Sequence, residues 1–220
     1  MAVENLTLLQ IVQEVFTAIR ETKPTSLSSQ TTRTQEVVQA VKDVYLEVCS
    51  MNNGHLKFLE SSGTITLATD DRDYAMAADV KDLCLESFIL DNQDDVEYLD
   101  YNSFMAKYPD ITDTGKPYNI TVWNNEFLIG YVPSSSYDGK TIPYKYWKQP
   151  DDIVNDGDYP LIPKELRRRV LVFGAAAQLF QTDSDPSYKL YWDRYMGAIA
   201  DLKRGYSSAT PGNVRVTHVF

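Results

Sequence analysis

The hydrophobic spacing of this 220-residue chain changes period twice. Over residues 5–20, Leu8, Val12, Val15, Phe16 and Ile19 recur at helical spacing, which places them on one face. Pro24 and a Ser/Thr cluster break that pattern. A second helix is predicted over 34–51, with Val37, Val41, Val44, Tyr45 and Val48 as its buried stripe. Asn52, Asn53 and Gly54 tolerate the left-handed backbone that ends a helix. Past them the period drops to two. "HLKFLE" and "GTITLAT" predict a strand pair about a Ser-Ser-Gly turn at 61–63. A further strand is expected near "LESFIL", and a short helix in "DDVEYLDYNSFMAKYP". Strands are predicted at 118–123, 126–132 and 141–147, with Phe127, Ile129 and Tyr131 on one side and Ile142, Tyr144 and Tyr146 likewise.

Helical spacing returns after Pro163, a residue suited to a first turn. Leu166, Val170, Phe173, Ala177 and Phe180 share a face, and "GAAA" at 174–177 admits a close neighbouring backbone. A last helix is predicted over about 187–206 through Tyr188, Tyr191, Trp192, Tyr195, Ile199, Leu202 and Tyr206. Helices this short need partners to bury such stripes. The expected fold is α+β: a four-helix bundle formed by both chain ends (1–54 and 160–206), an inserted antiparallel β-rich region (55–159) and an extended C-terminal tail (207–220).

Composition excludes several function classes. No apolar run approaches the roughly 18 residues that span a bilayer, and the acidic N-terminus lacks the basic start of a secretory signal. Two cysteines, Cys49 and Cys84, are too few for a disulfide framework and are expected to be buried thiols. The formal net charge is −10, and no basic patch for gripping nucleic acid is evident.

Chemistry is sparse. The two histidines, His55 and His218, lack partners at zinc-ligand spacing. No nucleophile elbow, Walker loop or dinucleotide fingerprint occurs. "DNQDDVEYLD" and "DDIVNDGDYP" are acidic but do not match the calcium loop, and are expected to be solvated loops with helix-start carboxylates. Arg167, Arg168 and Arg169 fan around a helix and are expected to be solvated or subunit-facing, with Glu165 paired to Arg169. No catalytic, cofactor-binding or metal-binding residue is assigned. Tyr131, Tyr144 and Tyr146 suit core or interface, or else a sugar platform in a carbohydrate-binding module on a helical base. A metal-dependent hydrolase built on the acidic residues is a third, weaker option. In the tail, Val214 and Val216 alternate with Arg215 and Thr217, so the segment is either frayed or added to a sheet edge.

Across 6–205 the order of motifs resembles the head-to-tail adaptor proteins of tailed bacteriophages, also described as tail tubular protein A-like or head-completion proteins. The resemblance runs through "TLLQIVQEVFTAIRETKPTSLSSQTTRTQEVVQAVKDVYLEVCS" and "FLESSGTITLATDDRDYAMAADVKDL". It is clearest in "YKYWKQPDDIVNDGDYPLIPKEL", where an aromatic strand meets an acidic turn, a proline and a helix start. Ala77 stands where the family commonly has proline. The resemblance implies a non-enzymatic virion part at the head–tail interface, a ring of twelve copies under the portal protein. It implies DNA passing the lumen without sequence recognition, and no cofactor. The tail residues Asn213, Val214, Arg215, Val216, Thr217, His218, Val219 and Phe220 would engage the portal. Loop residues Asp113, Gly115, Ser135, Tyr137, Asp138 and Gly139 would face a tail nozzle or other tail protein.

Overall fold

The computed structural model describes residues 5–28, 31–91, 93–110 and 112–207, so Asn213–Phe220 lie outside the described residues. The fold is α+β. Among the described residues it divides into two compact units, one from those up to Leu59 together with 150–207, the other over Glu60–Gln149.

The first unit holds α1 (Leu8–Ala18), α2 (Thr32–Ser50), α4 (Lys164–Arg167) running through a π-helical turn (Arg168–Val172) into α5 (Phe173–Thr182), and α6 (Tyr188–Tyr206). Thr7 and Gln10 form a reciprocal capping box at the start of α1, satisfying two donors that a helix start otherwise leaves open. Both α1 and α5 end with a left-handed residue that is not glycine, Arg20 at φ 61° and Ser184 at φ 56°. The closing bonds are Glu21 N to Phe16 O at 2.9 Å and Asp185 N to Phe180 O at 2.8 Å. Helix α5 is the buried centre: Ala175, Ala176 and Ala177 have no exposed surface. Gly174 shows why the small run is needed, since a Cβ there would meet Val44 at 2.8 Å and Tyr195 at 3.0 Å. The helix thus lies tight against both α2 and α6.

Two polar features lock these helices. The acidic stretch "DDIVNDGDY" is not a loosely solvated loop. The Asp158 and Asp156 carbonyls accept from Leu8 N (2.8 Å) and Leu9 N (3.2 Å), capping α1. The Asp156 carboxylate accepts from Leu27 N at 3.0 Å, and that of Asp158 folds the loop on itself through Val154 N and Asn155 N, both 2.7 Å. Arg33 at the start of α2 pairs with Glu21, Glu36 and Asp183, the last at 2.6 Å. These carboxylates raise its already high pKa, Asp183 foremost.

The arginine run departs from expectation. Arg167 is buried, donating to Pro160 O (2.6 Å), Leu6 O (3.0 Å), Ile162 O (3.2 Å) and Asn5 Oδ1 (2.5 Å). Arg169 pairs with Asp201 at 2.8 Å, while Glu165 accepts from the Tyr206 hydroxyl. Arg168 pairs with Glu14.

In the second unit, β1 (Glu60–Thr66), β11 (Thr141–Lys148) and β3 (Val80–Cys84) form an antiparallel sheet in the order β1-β11-β3. β2 (Asp73–Ala75), β9 (Glu126–Ile129), β8 (Asn119–Trp123) and β6 (Glu97–Tyr98) form another, with β6 parallel to β8. β4 (Ile89–Leu90) pairs with β5 (Asp94–Asp95), and β7 (Thr114–Gly115) runs parallel to β10 (Val132–Pro133). The predicted turn at 61–63 is absent: Ser61, Ser62 and Gly63 continue β1 opposite Tyr146, Lys145 and Tyr144. The short helix α3 (Tyr101–Lys107) begins later than predicted, where Asp100 caps it through Ser103 N. Ile65, Ile120, Phe127, Ile142 and Tyr144 from both sheets share one core with Phe88, which precedes β4. Within it Phe127 and Tyr144 meet edge-on at 4.8 Å. Tyr144 and Tyr146 are 4% and 5% exposed and offer no platform for a sugar. Cys84, expected to be buried, is half-buried, whereas Cys49 is buried.

Candidate functional site

Two loops singled out from the sequence fold against each other in the second unit. The strand β7 carries Gly115 and is preceded by Asp113, whose carbonyl accepts from Val132 N at 2.9 Å at the start of the β7–β10 pair. β10 then leads directly into the turn Ser135–Tyr137. Tyr137 N closes that turn on Ser134 O, and Gly139, at φ +73°, reverses the chain. Gly139 N to Leu67 O (2.9 Å) and Leu67 N to Lys140 O (2.8 Å) clamp the loop base. The Asp138 carboxylate accepts from Thr69 N at 3.0 Å, drawing the 68–71 turn into the same cluster. Asp113, Ser135, Asp138 and Gly139 are exposed, with Gly115 and Tyr137 half-buried. Gly115 has a steric reason to be glycine, because a Cβ there would press on the Tyr131 ring at 3.2 Å.

Charge in this cluster is locally matched. Lys116 pairs with Asp94 at 2.8 Å and lies 4.9 Å from the Tyr118 ring. Its pKa is raised, chiefly by the hydrogen bond to Asp94. Lys140 sits 5.3 Å from the Tyr137 ring and 3.7 Å from Asp91. Tyr118 is 52% exposed. Asp91 and Asp94 belong to the acidic run "DNQDDVEYLD", expected to be a solvated loop, whereas the pairing of Lys116 and Lys140 with them and the exposed ring of Tyr118 were not read from the sequence. The available signal was lysine placed beside tyrosine in "KPY" and "YDGK", flanking the predicted tips. A second exposed aromatic feature, Trp123 stacked on Tyr101 at 4.1 Å, was missed too. It sits at the β8–β9 turn, where Asn124 and Asn125 take left-handed backbone as a two-residue hairpin requires.

The Asp138 carboxylate is engaged in a turn and those of Asp91 and Asp94 with lysines, and the tyrosines each offer an apolar ring with a polar tip, a combination enriched where proteins meet. Among the described residues, no group of His, Cys, Asp and Glu is placed to hold a metal ion. Among them, too, no helix is long and apolar enough to cross a membrane. No curated protein matches the chain. A protein-family model described as SU10 adaptor protein matches residues 6–216.

Proposed function

The chain belongs to the SU10 adaptor protein family, a family of phage head–tail adaptors, and from that membership we propose that it forms a ring between portal and tail. The observation that carries the reading is the reach of the match, residues 6–216. It takes in both units rather than one portable module. In this reading the helices of both chain ends make a four-helix bundle (1–54 with 160–206) and pack side by side around the DNA path. The β-rich region 55–159 faces the tail, and its cluster around Asp113, Gly115, Ser135, Tyr137, Asp138 and Gly139 docks the tail nozzle or another tail protein. The segment 207–220 engages the portal through Asn213–Phe220. Twelve copies complete the ring, and the net charge of −10 suits a lumen through which DNA slides without being held. The part is structural and performs no reaction.

The test is to purify virions, locate the protein by mass spectrometry and immunogold labelling, and repeat with residues 208–220 deleted. Label at the junction of head and tail is expected, and the truncated chain should be missing from portal-bearing heads. Unchanged incorporation of the truncated chain would refute the portal role of the tail.

A further inference from the structure

We propose that the outer face of α6 on one copy docks against the outer face of α2 on the next copy. This rests on the adaptor reading above, which requires copies to pack side by side. It adds which surfaces meet.

Every exposed ionisable side chain of α2 is a carboxylate: Glu36, Asp43 and Glu47. Leu46, 47% exposed, stands among them. Helix α6 has the opposite sign. Its exposed ionisable residues are Lys189, Arg194, Lys203 and Arg204 against Asp193 alone. Arg194 lies over the Phe173 and Tyr191 rings of its own unit, and Arg204 is 3.5 Å from Asp201. Lys189 and Lys203 are left as the outward cations, with Asp193 the single exposed carboxylate beside them. Among the described residues no carboxylate pairs with either lysine, and no cation pairs with Asp43 or Glu47, although Asp43 accepts from Gln39 Nε2 at 2.7 Å and Glu47 lies beside the Tyr195 hydroxyl of its own chain.

Lys189, Met196 and Lys203 are spaced by seven, which brings each back to nearly the same side of a helix. Met196 at 46% and Trp192 at 38% exposure fill the line between the two lysines. Tryptophan and methionine are enriched in interface cores and depleted from open surface. An apolar centre flanked by cations thus faces a leucine flanked by carboxylates. The two faces belong to different helices, so the contact is heterologous. Each copy keeps one face of each sign free for the next, a repeat that closes into a ring or runs on as a filament.

Two charge-reversed chains test this. Lys189→Glu with Lys203→Glu turns both faces acidic, and Asp43→Lys with Glu47→Lys makes both basic. By native mass spectrometry and sedimentation of the full chain, each alone should associate about tenfold or more weakly than wild type. An equimolar mixture should recover assembly by alternation, in even-numbered species. Melting temperature separates lost contact from lost fold. If the second variant melts early, oxidative crosslinking of Leu46→Cys with Met196→Cys supplies the same readout, with a disulfide expected between copies. Assemblies that persist in both reversed chains and yield no such crosslink would overturn the face assignment and leave the adaptor reading standing. A wild-type chain that stays monomeric and uncrosslinked at the highest attainable concentration would overturn it as well. The adaptor reading fails on a different result, absence of the protein from purified virions.

Discussion

Arg167 is a buried charge that ties three loop carbonyls of the helical unit together. Its guanidinium reaches the carbonyls of Pro160, Ile162 and Leu6, groups that have no helical or sheet partner of their own. Burial lowers its pKa, though a guanidinium stays charged throughout the accessible pH range. Arg167→Ala should destabilise the fold by about 3 kcal/mol in urea unfolding, since it strands several buried acceptors. Arg167→Lys should recover less than half of that, because one ammonium cannot span the fork. The backbone supplies an opposite case. Arg20 and Ser184 hold left-handed conformations at helix ends, so Ser184→Gly should stabilise by about 0.5–1 kcal/mol in the same measurement. Little of this was legible. "RRR" announces charge but not which of the three points inward, which depends on the chain returning from a distant loop.

At the scale of elements, titration links local caps to stability. Asp100 is held below the ordinary carboxylate range chiefly by Ser103, Asp158 by Asn155 N, and Asp185 by Ser187. A folded pKa lowered in this way contributes stability that is present above about pH 4 and is lost as pH falls through the lowered value. Tyr45 and Tyr195 have pKa values pushed up, mainly by burial. Their contribution is present below about pH 10 and lost as pH rises beyond it. Thermal melts followed by circular dichroism should show a plateau between about pH 5 and pH 9 that falls on both sides. A melting temperature that stays constant down to about pH 2 would contradict the capping roles. Elements with strong periodicity were legible: α1, α2, α5, α6 and the strands β8, β9 and β11 all lie where the sequence predicts them. The turn at Ser61–Gly63 was misread because Ser-Ser-Gly is a local turn signal, whereas β1 is fixed by pairing with β11 about 80 positions away. Gly63 serves that pairing, since a Cβ would lie 2.3 Å from the Tyr144 ring. Gly63→Ala should therefore cost about 1–3 kcal/mol by urea unfolding.

For the whole molecule, the two units have separate cores, and the candidate docking cluster lies entirely in the second. The proximity of its two loops was only half legible. The sequence marks both as tips, but the parallel β7–β10 pair that joins them spans few residues and has no local signature. Substitutions at Tyr118 and Tyr137 should therefore leave the melting of the helical unit unchanged while weakening capture of tail components from virion lysates. One feature of the β sheet reaches further. The first and last strands of the second unit are antiparallel neighbours, with Glu60 opposite Trp147. Residues 60–149 thus leave and rejoin the chain at almost one point, roughly 5 Å wide. A domain with such adjacent ends can be exchanged as a cassette. If the proposed roles hold, a lineage could change which tail component is recognised by replacing this one insert, while inheriting unaltered the helical surfaces proposed to join the copies.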